Sequence, residues 1–163
     1  AQQMPEFGFF NRGYLFKDHA HLRRVFDGPL GEEYRKAVAE KMGIEFTEVS
    51  PERLVATMPV AGNTQPYGLL HGGASVVLAE TLGSFGAVLN AGEGKIAVGI
   101  DINATHHRAA RAGLVTGVAT LLSAGNTMVS YEIVISDEDG RRCCTSRLTC
   151  LIRDLPPGAP AAG

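Results

Sequence analysis

The chain has 163 residues, of which 45% are hydrophobic and 20% are charged, and its formal net charge is −2. These proportions are typical of one globular domain with a sizeable core, and they exclude a disordered chain. Because the charges nearly balance, there is no electrostatic reason to expect nucleic acid or an anionic membrane surface as a partner.

The three cysteines are Cys143, Cys144 and Cys150. An odd count with two adjacent members fits neither a disulfide framework nor a C-x-x-C metal site. On one strand, Cys144 and Cys150 would share a face and Cys143 would take the other, so we expect packing roles.

No basic-then-apolar segment opens the sequence, and no uninterrupted apolar run reaches the ~18 residues of a membrane span. We therefore expect a soluble protein in a reducing compartment, the cytoplasm.

The first part of the chain predicts an extension followed by two strands. Residues 1–43 mix aromatic and polar side chains and end in a predicted helix, Gly31–Gly43, with acidic residues first and a glycine stop. Ile44–Val60 predicts two strands, which are separated at Ser50–Pro51.

A loop over Ala61–Gly68 leads into the most apolar segment, Gly73–Asn90, which predicts a helix closed by glycines at 92 and 94. Short turns separate the alternating segments that come next, so the strands they predict are antiparallel. Residues 155–163 are rich in proline and alanine and predict a frayed tail. The predicted strands are Lys95–His107, Gly113–Gly125, Thr127–Asp137 and Arg141–Asp154.

The predicted helix over Gly73–Asn90 is apolar in nearly every direction. An antiparallel sheet that wraps around such a helix can bury it, so the predicted fold class is α+β, with one domain over residues 44–154. Gly83 and Gly86 are poor helix formers, and small residues at such positions let another group approach the backbone closely. That group could be the sheet, another helix or a ligand.

Glu80 is the only charged residue inside this helix. A solvated position on an exposed edge is the simpler interpretation, but the start of the helix favours a functional one. His71, Gly72 and Gly73 stand where free N–H groups and the positive end of the dipole can polarise a carbonyl oxygen. Alternatively, His71 caps the helix and the two glycines form a plain joint between loop and helix.

Gly72 and Glu80 are eight residues apart, which is about 12 Å along a helix axis. A general base must come within ~3 Å of the proton that it removes, or act through one water. The two residues of one chain are therefore poorly placed to act on one carbonyl group. Two antiparallel helices across a two-fold axis would bring them together, so we expect a symmetric dimer with two shared sites.

The stretch QPYGLLHGGASVVLAETLGS, from Gln65 to Ser84, resembles the signature of hotdog-fold acyl-CoA thioesterases. The resemblance leans toward the PaaI-like, aroyl-CoA branch, which includes dihydroxynaphthoyl-CoA and enterobactin-proofreading thioesterases. It continues through Val98–Gly113 and Asp137–Thr149 and covers roughly residues 44–153. It implies a curved antiparallel sheet around one long central helix, a homodimer, and often a tetramer made of two dimers.

The resemblance also implies roles for individual residues. Glu80 matches the catalytic carboxylate, acting as nucleophile or as general base for water, and the Gly72 N–H would polarise the thioester carbonyl. His71 would belong to the environment of the same oxygen. Gln65 would lie near the thioester, and Ser84 would position water.

Further candidates for contact with the substrate or with CoA lie at the helix start, beside the carboxylate and in the basic run HHRAAR. The resemblance places this run near the CoA nucleotide, whose phosphates attract arginine, although a solvated turn is the alternative. The two adjacent histidines point to opposite faces of a strand, which argues against a shared metal, and no cofactor is expected. These candidates are Gly73, Thr81, His106, His107, Arg108 and Arg111.

The leading prediction is hydrolysis of an acyl-CoA, with an aromatic acyl group favoured by the resemblance. Dehydratases and hydratases of the same fold need another acid–base pair, commonly His with Asp or Glu, and the HGG-x6-E spacing favours a thioesterase. A non-enzymatic acyl-CoA sensor would usually carry a DNA-binding module, and no basic helix-turn-helix segment is visible in the sequence.

Overall fold

The computed structural model describes residues 41–92 and 94–154. The predicted helix Gly31–Gly43 lies outside these residues except for its end, where Lys41 and Met42 are helical and Gly43 has φ +65°. The rest of the predicted extension and the predicted tail also lie outside them. In chain order the described elements are β1 (Glu45–Val49), β2 (Arg53–Pro59), α1 (Gly72–Ala91), β3 (Lys95–His106), β4 (Leu114–Ala124), β5 (Met128–Ser136) and β6 (Arg142–Asp154).

The six strands form one antiparallel sheet in the order β1-β2-β4-β5-β6-β3. Each predicted strand is found close to its predicted bounds, and the α+β prediction is confirmed. Tight connections join β4 to β5 and β5 to β6, whereas the chain crosses the sheet between β3 and β4. As a result β3 pairs with β6 alone and forms one edge of the sheet, while β1 forms the other.

The helix α1 packs against the inner face of the sheet and contacts β2 through β6. A Cβ on Gly83 would lie 2.7 Å from Leu148 Cδ2, and a Cβ on Gly86 would lie 2.3 Å from Tyr131 Cζ. Since real Cβ atoms do not come so close, the sheet is the group that approaches the helix at both glycines. The three cysteines are buried free thiols, as their packing interpretation predicts.

Tyr131 connects the helix to the turn between β1 and β2. Its buried hydroxyl donates a hydrogen bond to the Pro51 carbonyl and accepts one from Asn90 Nδ2 at 2.8 Å. Asn90 Nδ2 also donates to the Gly86 carbonyl at 2.9 Å. Burial raises the pKa of Tyr131, so the hydroxyl keeps the proton that it donates.

By length and composition alone, α1 would qualify as a membrane-spanning helix, with a mean hydropathy of 1.4 over its most apolar 18 residues. Half of that window is buried inside the protein. The core helix of a globular domain meets the same test, because it is apolar on most of its faces. Its apolar composition is therefore accounted for by the sheet that it covers.

Candidate active site

The loop that precedes α1 holds Gln65 in a tight turn. The Gly68 N–H donates to the Gln65 carbonyl at 3.0 Å, and the Gln65 N–H donates to the Leu69 carbonyl at 2.8 Å. Pro66 takes the second position of this turn, where its fixed φ is favourable, and Gly68 has φ +72°, which favours glycine. Both backbone groups of Gln65 are thereby used, which fixes the position from which its half-buried side chain projects.

The first turn of α1 leaves one backbone donor free. His71 is the N-cap residue, and its Nδ1 atom accepts a hydrogen bond from the Gly73 N–H at 2.9 Å. The N–H groups of Ala74 and Ser75 donate to the His71 carbonyl at 2.9 and 3.3 Å. Among the described residues, the Gly72 N–H has no hydrogen-bond partner. A free donor and the positive end of the helix dipole therefore coincide at Gly72.

The capping interpretation of His71 is thus confirmed, while its part in the environment of a substrate oxygen stays a prediction. Because Nδ1 accepts a hydrogen bond, it carries no proton, and the proton of the neutral ring is on Nε2. The ring is exposed, so Nε2 remains available as a donor.

Asn63 anchors the backbone from which the helix starts. Its carbonyl accepts the His71 N–H at 2.8 Å, and its buried Nδ2 donates to the carbonyls of Met42 and Pro59 at 2.9 and 2.8 Å. The predicted loop gave no reason to single out Asn63. Its partners lie in three separate segments, and only the folded chain brings these segments together.

A cavity of about 370 Å³ lies beside the start of α1. Its walls come from the Gln65 turn, the first turn of the helix, the segment between β3 and β4, and the start of β6. Its volume is near the lower limit of small-molecule sites in proteins. The lining residues are Gln65, Gly72, Ser75, His106, His107 and Arg108, together with Leu69, Leu70, Ala109, Ala110 and Cys143. Five predicted site residues thus meet in one place, whereas Ser75 and Cys143 were not among the predictions.

The two adjacent histidines have different neighbours. His106 lies against the helix start, because a Cβ on Gly72 would be 2.9 Å from His106 Nε2. His107 Nε2 lies 2.9 Å from Thr145 Oγ1. Within residues 41–92 and 94–154, no three or more His, Cys, Asp or Glu side chains are grouped as a metal site would require.

Arg108 and Arg111 are both exposed, and neither guanidinium forms an ion pair with another described residue. The Arg108 N–H donates to the Cys143 carbonyl at 3.2 Å, which holds its backbone beside the cavity. Arg108 lines the cavity and Arg111 does not. Of the two arginines, Arg108 is therefore the better placed to meet an anionic group of a bound molecule.

Glu80 lies outside this cavity, two turns along the same helix. Its side chain is exposed and forms no hydrogen bond or ion pair with the residues that the structure describes. Its Oε1 atom is 3.9 Å from the position of a Cβ on Gly99 of β3. The register of β3 against β6 shifts between Gly99 and Asp101, so a β-bulge lies beside the carboxylate.

Ser84 and Cys150 lie next to Glu80. Burial, followed by the negative charge of Glu80, raises the pKa of the Cys150 thiol to about 11, so this thiol stays neutral. Ser84, half-buried one turn beyond Glu80, hydrogen-bonds to this thiol. The neighbouring Thr81 is only 1% exposed, and within a single chain its side chain belongs to the core.

The edge strand next to Glu80 is long and exposes apolar side chains. β3 has 12 residues, and Val98 and Ile100 on it are 39% and 54% exposed. The opposite edge, β1, has five residues and carries Glu45 and Glu48. Charges and short length protect a sheet edge from pairing with other chains, whereas the longer β3 edge carries a single charge, Asp101, in its central part.

Known proteins resemble this chain in both sequence and architecture. Residues 67–144 match the Thioesterase superfamily. The proofreading thioesterase EntH of Cronobacter turicensis is 52% identical over 139 residues, which is 85% of this chain and 98% of the relative. The chain belongs to the thioesterase superfamily.

Solved structures of other thioesterases agree. A Haemophilus influenzae thioesterase has a TM-score of 0.73 and is 37% identical in sequence. The match covers 90% of this chain and 99% of the Haemophilus chain. A variant of a Pseudomonas aeruginosa thioesterase has a TM-score of 0.73 and is 36% identical in sequence. The match covers 86% of this chain and 99% of the Pseudomonas chain. The predicted family and its hotdog fold are confirmed. The protein is therefore a thioesterase, an enzyme that hydrolyses thioesters.

Proposed function

We propose that this thioesterase hydrolyses an acyl-CoA with an aromatic acyl group, releasing the free acid and CoA. The observation that carries the proposal is the unpaired N–H of Gly72 on the wall of a cavity at a helix N-terminus. A donor held in this way stabilises the negative charge that develops on a thioester oxygen during attack. The aromatic preference rests on the resemblance to the aroyl-CoA branch.

Two courses are chemically balanced for Glu80. In the first, its carboxylate attacks the carbonyl carbon, CoA leaves as the thiolate, and water hydrolyses the resulting mixed anhydride. In the second, Glu80 takes a proton from water and the hydroxide adds to the carbonyl carbon; the C–S bond then breaks, and the departing CoA thiolate takes the proton from Glu80. Both courses place negative charge on the carbonyl oxygen, which is the charge that the Gly72 N–H would meet. Ser84 would orient the water and Gln65 the thioester.

The proposal includes a dimer in which each site takes residues from both chains. Eight residues of continuous helix separate Gly72 from Glu80, which is about 12 Å along the axis. Pairing of β3 with the β3 of a second copy across a two-fold axis would cover Val98 and Ile100. It would also set the exposed Glu80 at the interface, where it can face the cavity of the other chain. A tetramer of two such dimers is the further assembly that the resemblance implies.

Arg108 is proposed to bind the CoA nucleotide. Its guanidinium is exposed at the cavity and free of carboxylate partners among the described residues. Phosphate oxygens form charge-assisted hydrogen bonds with such a group. Arg111, three residues further along and also exposed, would add positive charge at the same end of the site.

The test is a panel of kcat/KM values for benzoyl, naphthoyl, phenylacetyl and straight-chain acyl-CoAs, with a carrier-protein thioester added. We expect the aromatic thioesters to give the highest values. Glu80→Ala should lower kcat on the order of 10²- to 10⁴-fold, as the loss of a general base does. Equal rates for Glu80→Ala and wild type would remove Glu80 from the mechanism. A wild type that hydrolyses no thioester would overturn the proposed function.

A further inference from the structure

Ser75 is a buried hydroxyl residue on the wall of the cavity. It is 3% exposed and lies three residues after Gly72. No described residue donates a hydrogen bond to its hydroxyl or accepts one from it. A buried hydroxyl without a partner costs roughly 1–3 kcal/mol, so native proteins leave few of them unpaired. A hydroxyl of this kind beside an open cavity indicates a partner that enters the cavity.

Helix geometry directs the Ser75 side chain toward Gly72. In an α-helix each Cα–Cβ bond tilts toward the N-terminus, and residues three apart share a face. The usual local partner of a helical serine is the carbonyl four residues earlier, which here belongs to His71. That carbonyl already accepts the N–H groups of Ala74 and Ser75. Because Gly72 has no side chain, it does not cover the Ser75 hydroxyl.

Two of the other candidates on the wall, Cys143 and His107, are a weaker donor or already have a partner. The thiol of Cys143 is a weak donor, and its Sγ lies 3.5 Å from the Arg141 carbonyl. The His107 ring is paired with the Thr145 hydroxyl at 2.9 Å. Thr81 has a buried hydroxyl without a described partner as well, but it does not line the cavity.

We propose that Ser75 is a catalytic residue whose hydroxyl donates a second hydrogen bond to the thioester carbonyl oxygen, beside the Gly72 N–H. The inference rests on the proposed function, because it concerns the oxygen on which that reaction places negative charge. Backbone N–H groups and serine hydroxyls are both donors that form oxyanion holes. The bond strengthens as the oxygen becomes negative, so its loss lowers kcat more than it changes KM.

Ser75→Ala, Ser75→Cys and wild type are to be compared on one aromatic acyl-CoA, with Ser130→Ala as the control. Ser130 carries a hydroxyl on β5 and does not line the cavity. We expect kcat to fall on the order of 100-fold in Ser75→Ala, with KM changed little. Ser75→Cys should be intermediate because a thiol is a weak donor, and Ser130→Ala should match wild type.

A thioether analogue of the same substrate, which has a methylene group in place of the carbonyl, separates the carbonyl role from general binding. We expect its inhibition constant to be equal for Ser75→Ala and wild type. A weaker inhibition constant in Ser75→Ala would assign the hydroxyl to another part of the ligand and overturn the inference.

Equal kcat in Ser75→Ala and wild type would also overturn the inference, while leaving the proposed function in place. Failure of the wild type to hydrolyse any thioester is the separate result that removes the proposed function. Melting temperatures establish that the variants are folded. If Ser75→Ala is unstable, Ser75→Cys carries the same comparison, since it nearly preserves the volume of the side chain.

Discussion

The Nδ1 atom of His71 accepts a 2.9 Å hydrogen bond from the Gly73 N–H, and this bond decides which donor of the first helical turn stays free. This hydrogen bond occupies the N–H of Gly73, a residue that the sequence had also suggested as a contact for the substrate. It leaves the Gly72 N–H as the donor at the cavity wall. The cap and the proposed oxygen site therefore both belong to the first turn of α1.

Substitution of His71 should separate its capping role from any chemical role. His71→Ala removes the cap and should cost about 1 kcal/mol of unfolding free energy, together with activity. Asparagine is a good N-cap residue, so His71→Asn should recover most of the stability. We expect its kcat to stay low, because asparagine does not reproduce the Nε2–H of the ring. Chemical denaturation and kcat for the three proteins check this, and wild-type kcat in His71→Asn would limit His71 to capping.

Complementation between two inactive variants tests the shared site. Glu80→Ala keeps an intact cavity, and Gln65→Ala keeps an intact carboxylate. In a mixed dimer, one site combines both intact parts. Co-expression should therefore restore about a quarter of the wild-type activity, since half of randomly formed dimers are mixed and each has one complete site.

The matched control pairs the Glu80→Ala chain with the double variant. Co-expression of Glu80→Ala with a chain that carries both substitutions should restore nothing. If Glu80→Ala with Gln65→Ala also restores nothing, although the mixed dimer is isolated, the site lies within one chain and the shared-site proposal is wrong.

Arg108→Ala should affect only substrates that carry the CoA nucleotide. We expect KM for an aromatic acyl-CoA to rise about 10-fold, which corresponds to the loss of one hydrogen bond to a charged group. The N-acetylcysteamine thioester of the same acid lacks the phosphates and should show no change. Arg153→Ala, an exposed arginine at the end of β6, is the control. Equal effects on both thioesters would contradict a phosphate contact.

Gly86→Ala should destabilise the fold without touching the cavity. The added Cβ would meet the Tyr131 ring at 2.3 Å, where the hydroxyl is held by Asn90 and Pro51. Overpacking of this kind costs roughly 1–3 kcal/mol, measured by denaturant unfolding. Gly125→Ala is the control, because its nearest neighbour would be the Met128 carbonyl oxygen at 3.5 Å, an ordinary contact. Equal stability of the two variants would show that the Tyr131 ring can shift freely.

The local pattern of the sequence determined the elements and the helix start. Alternation and helical periodicity depend on neighbours along the chain, so strand bounds and the α1 segment followed from them. The His71-Gly72-Gly73 joint and the eight-residue rise to Glu80 are likewise local, and the separation of the two parts of the proposed site could be predicted from helix geometry alone.

Tertiary structure alone decided which segments meet. The crossing of β3 to the sheet edge beside Glu80, and the contacts of Gly83 and Gly86 with the sheet, depend on partners far away in sequence. The cavity likewise gathers side chains from four separate segments. Ser75 lay inside the stretch that carried the family signature, and its spacing of three from Gly72 was readable. Its burial without a partner was not, because burial is a property of the packed fold and not of the helix.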